Sequence, residues 1–216
     1  MTRRGRRSVL ILSPVADFCA TAFAHSLVEM MQHTLETKPK VLGSVRFQPY
    51  GTSILPFARQ ALAEYAVEQE ATHTLWIDSD MKFPPDMLIR LLRREESFIG
   101  INALSRRPPF RCTARAAPGV ALETRPENTG LVEVDTVGFG VAWVATSVFA
   151  QMSKPWFEFE WAPELGVFRG EDYSFCQKAK KLDQRIWVDQ DLSKEVRHVG
   201  TFGYSPLMPH MGDTAK

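Results

Sequence analysis

Residues Thr74-Leu75-Trp76-Ile77 form a short, apolar, β-compatible run that stops at two carboxylates one residue apart, Asp78 and Asp80, with Ser79 between them. A run this short and this apolar reads as a buried strand. The carboxylates then fall at its carboxyl end, where open α/β sheets place their ligands. Alternate residues of an extended segment point the same way, roughly 6.5 Å apart, so Asp78 and Asp80 can face one cation or one diphosphate.

The segments around this run alternate between strand-like and helix-like. A strand over 8–12 is followed by a loop, Pro14 to Asp17, and by a helix over 21–35 whose Phe23, Leu27, Met30 and Met31 recur on one face. A second strand covers 41–47. Ser53 then offers an N-cap for a helix that turns Leu55, Ala58, Leu62, Tyr65 and Ala66 inward. After the third strand, Pro84-Pro85 opens a helix with Met87, Leu88, Leu91 and Leu92 on its apolar face, and 98–101 is a fourth strand. This order predicts an α/β fold with a mostly parallel central sheet flanked by helices. Beyond residue 102 the texture becomes loop-rich and basic. Segments 131–137 and 141–144 read as a strand pair interrupted at Gly138-Phe139-Gly140, and 147–152 as a short helix. An aromatic loop runs to about 168, a helix opens at Gly170-Glu171-Asp172, and 185–189 is a last strand.

With 216 residues and 44% hydrophobic content, the chain supports one compact domain. Twenty-six basic against 25 acidic residues leave a net charge of +1, which argues against a polyanion binder with a wholly basic surface and leaves room for local basic patches. Three cysteines, Cys19, Cys112 and Cys176, lack metal-ligand spacing and read as free thiols in a reducing compartment. The arginines of 1–7 read as a solvated tail or a nucleic-acid contact. The apolar run behind them is too short for a secretion signal or a membrane span, so a cytoplasmic location is expected.

Two further groups could carry chemistry: Glu171 and Asp172 at a helix start, and His198. Hard carboxylate oxygens with one imidazole suit Mn²⁺ or Mg²⁺ better than a structural zinc. Each residue also has a plain reading. Asp80 can cap a turn, Glu171 and Asp172 can answer the helix dipole, His198 can be an ordinary histidine, and Trp156 and Phe157 can pack or can stack on a sugar. Arg106, Arg107, Arg111 and Arg115 can neutralise a donor diphosphate, bind an anionic acceptor, or solvate a loop.

Taken in order, Trp76-Ile77-Asp78-Ser79-Asp80-Met81, the glycine-flanked strand over 134–143, Gly170-Glu171-Asp172 and His198-Val199-Gly200 resemble the A-type glycosyltransferase (GT-A) fold. The resemblance is to small phage and bacterial members related to family 2 glycosyltransferases, and it spans about 9–200. It implies a GT-A catalytic domain over 8–204, with a nucleotide-sugar half (8–104), an acceptor half (105–204) that adds a small antiparallel extension, and tails over 1–7 and 205–216. It further implies a donor site of Pro14, Asp17, Arg59, Asp78 and Ser79, and a metal site of Asp80, Asp78 and His198. Asp172 would be the general base of an inverting transfer, with Glu171 beside it, and Gly138, Gly140, Trp156 and Gly170 would lie on the acceptor side. Gln60 departs from the Ala-Arg-Asn helix motif that Ala58-Arg59 otherwise resembles. The implied donor is a nucleoside-diphosphate sugar, UDP-linked in most such families. The implied acceptor is a glycan, a protein or a modified DNA base such as a hydroxymethylated one, in the host cytoplasm if the chain is phage-encoded. Two other readings stay open: a metal-dependent phosphohydrolase or nuclease, and a non-catalytic nucleotide-sugar-binding protein. A haloacid-dehalogenase-like phosphatase would want Thr or Val where Lys82 stands.

Overall fold

The computed structural model describes residues 5–106 and 110–200. Most of the expected N-terminal tail, Arg107 and the expected tail over 205–216 lie outside the described residues. In chain order the elements are β1 (Arg7–Val15), α1 (Thr21–Thr37), β2 (Leu42–Gly51), α2 (Leu55–Glu68), β3 (His73–Ile77), β4 (Met81–Lys82), α3 (Met87–Leu92), β5 (Phe98–Gly100), β6 (Arg115–Ala117) and β7 (Val120–Ala121). They continue with β8 (Leu131–Glu133), β9 (Val141–Ala145), α4 (Thr146–Gln151), β10 (Glu160–Ala162), β11 (Val167–Arg169), α5 (Glu171–Lys180), β12 (Trp187–Asp189), α6 (Gln190–Glu195) and β13 (Arg197–His198).

A seven-stranded sheet in the order β2-β1-β3-β9-β5-β12-β8 forms the centre. β1 pairs in parallel with β2 and β3, and β5 with β12, while β9 runs antiparallel to both β3 and β5 and β8 antiparallel to β12. Five of the seven strands therefore point one way, which is the mostly parallel sheet the sequence predicts. Alternation along each strand divides the core between two faces. Leu10, Leu12, Trp76, Phe98 and Val144 pack with Leu62 of α2, Phe149 of α4 and Phe175 of α5. Val9, Ile11, Leu75, Ile99 and Trp143 pack on the other face with Met30 of α1, Leu88 of α3 and Leu192 of α6.

Several expectations need correction. Segments 131–137 and 141–144 do not pair: β8 lies at the sheet edge against β12, whereas β9 inserts between β3 and β5. Arg7 opens β1 instead of belonging to a tail, and its guanidinium donates to the Leu92 and Arg94 carbonyls. β1 runs on to Val15, so Pro14 is a buried strand residue opposite Tyr50 and the loop begins after it. Ser53 is not the cap of α2. Ile54 holds that position, and Thr52 Oγ1 accepts from the Ile54 amide. The basic and aromatic stretches carry small hairpins, β6-β7 and β10-β11.

The antiparallel insertion positions the site. Because β9 runs against β3 and β5, its start arrives beside their carboxyl ends, and the Asp78 amide donates to the Gly140 carbonyl at 2.9 Å. α6 then leads to β13, which pairs with β4 and sets His198 opposite Met81.

Candidate active site

Arg59, on the inward face of α2, is 2% exposed and rests over the Phe139 ring at 5.2 Å. Its Nη2 donates to both Asp78 oxygens at 3.0 and 3.2 Å, and its Nη1 forms an ion pair with Glu171 at 2.9 Å. One guanidinium fork thus ties the end of β3 to the first turn of α5. Burial alone would lower the Arg59 pKa, but the charges of Asp78, Glu171 and Asp172 outweigh it and leave it raised. Loss of hydration pushes the Glu171 carboxyl up, against the pull of Arg59, and Asp78 responds in the same way.

Asp80 faces a second group. Its Oδ2 lies 3.3 Å from His198 Nε2 and 2.9 Å from Arg106 Nη1, and its carbonyl accepts from the Val199 amide at 2.8 Å. Partial burial would raise the Asp80 pKa, yet His198 and Arg106 prevail and hold it below the ordinary carboxylate value. The hydrogen bond to Asp80 in turn raises His198, whose Nδ1 meets the Leu104 carbonyl at 2.8 Å. Asp80 Oδ1 is buried without a hydrogen-bond partner among the described residues. An orphaned carboxylate oxygen beside an imidazole nitrogen suits a divalent cation. Among the described residues no group of three His, Cys, Asp or Glu is arranged to hold a metal, so the expected set of Asp80, Asp78 and His198 is not assembled, Asp78 being turned to Arg59 instead.

Asp172 sits in the first turn of α5, where its Oδ1 accepts from the Tyr173 amide at 2.7 Å. Gly170 makes room for this carboxylate, and Gly138 lies beside it. A Cβ at Gly170 would come within 2.7 Å of Asp172 Oδ1, and one at Gly138 within 3.5 Å of Oδ2. Asp172 lines a cavity of about 390 Å³ with Thr113, Arg115 and Tyr173. An adjoining cavity of about 860 Å³ is walled by His198, Arg106 and Phe110.

The remaining sequence candidates divide. Ser79 accepts from the Ala20 amide at 2.9 Å, pinning the exposed loop that carries Asp17 to the Asp78–Asp80 turn. Gly140 lies against Met81 at the start of β9. Pro14 is buried in β1 and offers a base no open face. Trp156 is core: it is 4% exposed, lies tilted against Phe149 with ring centroids 5.2 Å apart and donates Nε1–H to the Met152 carbonyl. It is therefore no sugar platform. The exposed aromatic pair is Trp161 and Phe168, 5.0 Å apart across β10-β11. Gln60 holds the aromatic loop instead of completing the helix motif, accepting from the Trp156 amide at 2.8 Å. Sequence reasoning missed the Leu104 carbonyl behind His198 and the contact of Arg106 with Asp80; only a cluster of arginines signalled the latter.

No protein-family model matches the chain, and no curated protein matches it in sequence. Solved structures do. Over 92% of this chain and 97% of the other, the fold matches A197 from STIV with a TM-score of 0.53 at 9% identity. Over 90% of this chain and 71% of the other, it matches the catalytic domain of Drosophila beta1,4galactosyltransferase 7, solved in complex with xylobiose, with a TM-score of 0.55 at 12% identity. The chain thus shares the fold of a solved glycosyltransferase catalytic domain, the GT-A architecture that the motifs imply.

Proposed function

We propose that this chain is a metal-dependent glycosyltransferase that moves a sugar from a nucleoside-diphosphate donor, UDP-linked in our reading, to an acceptor hydroxyl with inversion. The observation that carries this is the convergence, at the carboxyl end of β3, of two separate acidic groups: Asp80 with His198, and Asp78 with Glu171 on Arg59. The likeness of the whole fold to a glycosyltransferase catalytic domain supports it.

In this reading Asp80 and His198 hold a divalent cation, Mn²⁺ or Mg²⁺. When bound, such a cation neutralises charge developing on the departing diphosphate. Asp78, oriented by both its bonds to Arg59, receives the ribose, and the Asp17 loop receives the base. Arg59 is a positioning residue, since its buried guanidinium reaches the donor only through Asp78 and Glu171. Asp172 takes the acceptor proton as the acceptor oxygen attacks the anomeric carbon and the bond to the diphosphate breaks. Glu171 fixes the turn that presents Asp172.

Turnover of UDP-sugars, followed as cation-dependent release of UDP, tests the proposal. Wild-type protein releases UDP and Asp80→Ala does not, while both give the same circular dichroism. Equal release by the two proteins would remove Asp80 from the mechanism. Release of UMP and sugar 1-phosphate, with neither UDP nor transferred sugar, would point to a phosphohydrolase instead.

A further inference from the structure

The two cavities beside Asp172 and His198 have a charge pattern that the transfer itself does not require. Asp172 is the only carboxylate among the described residues that line them. Arg111 and Arg115 line the smaller cavity, and Arg106, Lys194, Arg197 and His198 the larger. With a net charge of only +1 over the whole chain, this accumulation is local. Arg106 is accounted for by Asp80 and Lys194 by Asp191, whereas Arg111 and Arg115 meet no carboxylate among the described residues.

Both arginines are rooted in fixed backbone. Leu104 and Cys112 form a bridge, the Ser105 amide donates to the Arg111 carbonyl at 2.9 Å, and the Arg111 amide donates to Ser105 Oγ at 3.0 Å. Arg115 begins β6 and is bridged to Thr136, and its Nη1 donates to the Cys112 and Ala114 carbonyls at 2.6 and 3.1 Å. Those bonds orient the guanidinium and leave its other nitrogens free of any partner among the described residues. Two cationic forks therefore share a small cavity with the one carboxylate that could take a proton. Arg111 is exposed and Arg115 half-buried, so both guanidinium groups can reach a ligand in this cavity, and a phosphate accepts the paired N–H bonds of such forks.

We infer that the acceptor of the proposed transfer carries a phosphate group, bound by Arg111 and Arg115 next to the hydroxyl that Asp172 deprotonates. The inference rests on the glycosyltransferase reading, and donor binding is measured separately so that the two stand or fall apart. The site is distinct from the donor diphosphate, which belongs to Asp80 and His198.

Calorimetric titration of inorganic phosphate into protein already saturated with UDP and Mg²⁺ tests it. One phosphate binds per chain with UDP in place, Arg111→Gln weakens that binding at least about tenfold, and Arg111→Lys recovers part of it, as expected for loss of a charge-assisted bond. UDP titrated alone binds wild type and Arg111→Gln equally. Phosphate that competes one-for-one with UDP, or that binds Arg111→Gln as tightly as wild type, would overturn the inference. Failure of UDP itself to bind would count against the glycosyltransferase reading and not against the phosphate site. Two further titrations identify the source of the phosphate. Salt-dependent binding of a single-stranded oligothymidylate, lost in Arg111→Gln, assigns it to a nucleic acid, and binding of glycerol 3-phosphate alone assigns it to a polyol or sugar phosphate.

Discussion

Arg59 joins stability to function in a single side chain. Its guanidinium is 2% exposed and compensates Asp78 and Glu171 together, so Arg59→Met strands two carboxylates in the interior. Urea denaturation should show a loss of about 3–5 kcal/mol, the cost of breaking a buried ion pair from one side. Arg59→Lys should recover little of it, because a point charge cannot span both partners. Asp172 makes the opposite case. Asp172→Asn should fold normally and bind UDP as wild type does, yet transfer should slow by roughly 10²–10⁴-fold, the usual scale of a lost general base. A third residue governs the pH response. Burial and the Arg7 charge lower the His73 pKa from 6.5 to about 4, so the folded state holds this ring neutral against Trp143, 4.6 Å away. The unfolded chain takes up that proton first. His73's stabilisation is therefore complete above about pH 6.5 and is lost as the pH falls toward 4, and His73→Phe should flatten the fall in thermal midpoint over that window. Asp78, Asp80, Glu171 and Asp172 stand out in the sequence because they follow an apolar run or open a helix, and the structure brings Asp78 and Glu171 to one Arg59 and Asp80 to His198. That Glu171 shares Arg59 was not legible, since no local pattern links α2 with α5. Both packing and stacking on a sugar were open for Trp156, because an aromatic in a loop carries no periodic signal of burial, and the structure gives packing.

Among elements, strands and helices were readable in both halves of the chain, whereas the order in which the second-half strands pair was not. β1 to α3 follow one another with alternating periodicity, and neighbours in sequence are mostly neighbours in space. β9 breaks this order by entering between β3 and β5, a choice set by tertiary packing of its Ala142, Trp143 and Val144 and invisible to the local sequence. The insertion brings the Val137–Gly140 segment against the end of β5. A Cβ at Gly100 would meet the Val137 methyl carbons at 2.4 and 2.5 Å, a contact that neither residue can relieve without moving backbone. Gly100→Ala should therefore cost about 1–3 kcal/mol in chemical denaturation. Val137→Ala in the same background should restore part of that loss, and no restoration would mean that this contact is not the source of the strain.

Across the whole molecule, two apolar faces hold the seven-stranded central sheet, and the candidate site gathers along the carboxyl ends of its parallel strands. No helix among the described residues is long and apolar enough to cross a membrane. The Asp78–Asp80 turn, the start of β9, the first turn of α5 and β13 are drawn together from four distant parts of the sequence by the Asp78–Gly140, Asp78–Arg59–Glu171 and Asp80–His198 contacts, an arrangement that suits the proposed transfer, with donor and acceptor on opposite sides of one sugar. In the proposed transfer Asp80 and Asp172 divide those two sides between them. Calorimetry of UDP binding with and without Mn²⁺, run on wild type, Asp80→Asn and Asp172→Asn, tests it most directly. The account predicts Mn²⁺-dependent binding in wild type and Asp172→Asn, with at least about a tenfold loss in Asp80→Asn. Equal UDP affinity in Asp80→Asn and wild type would contradict it.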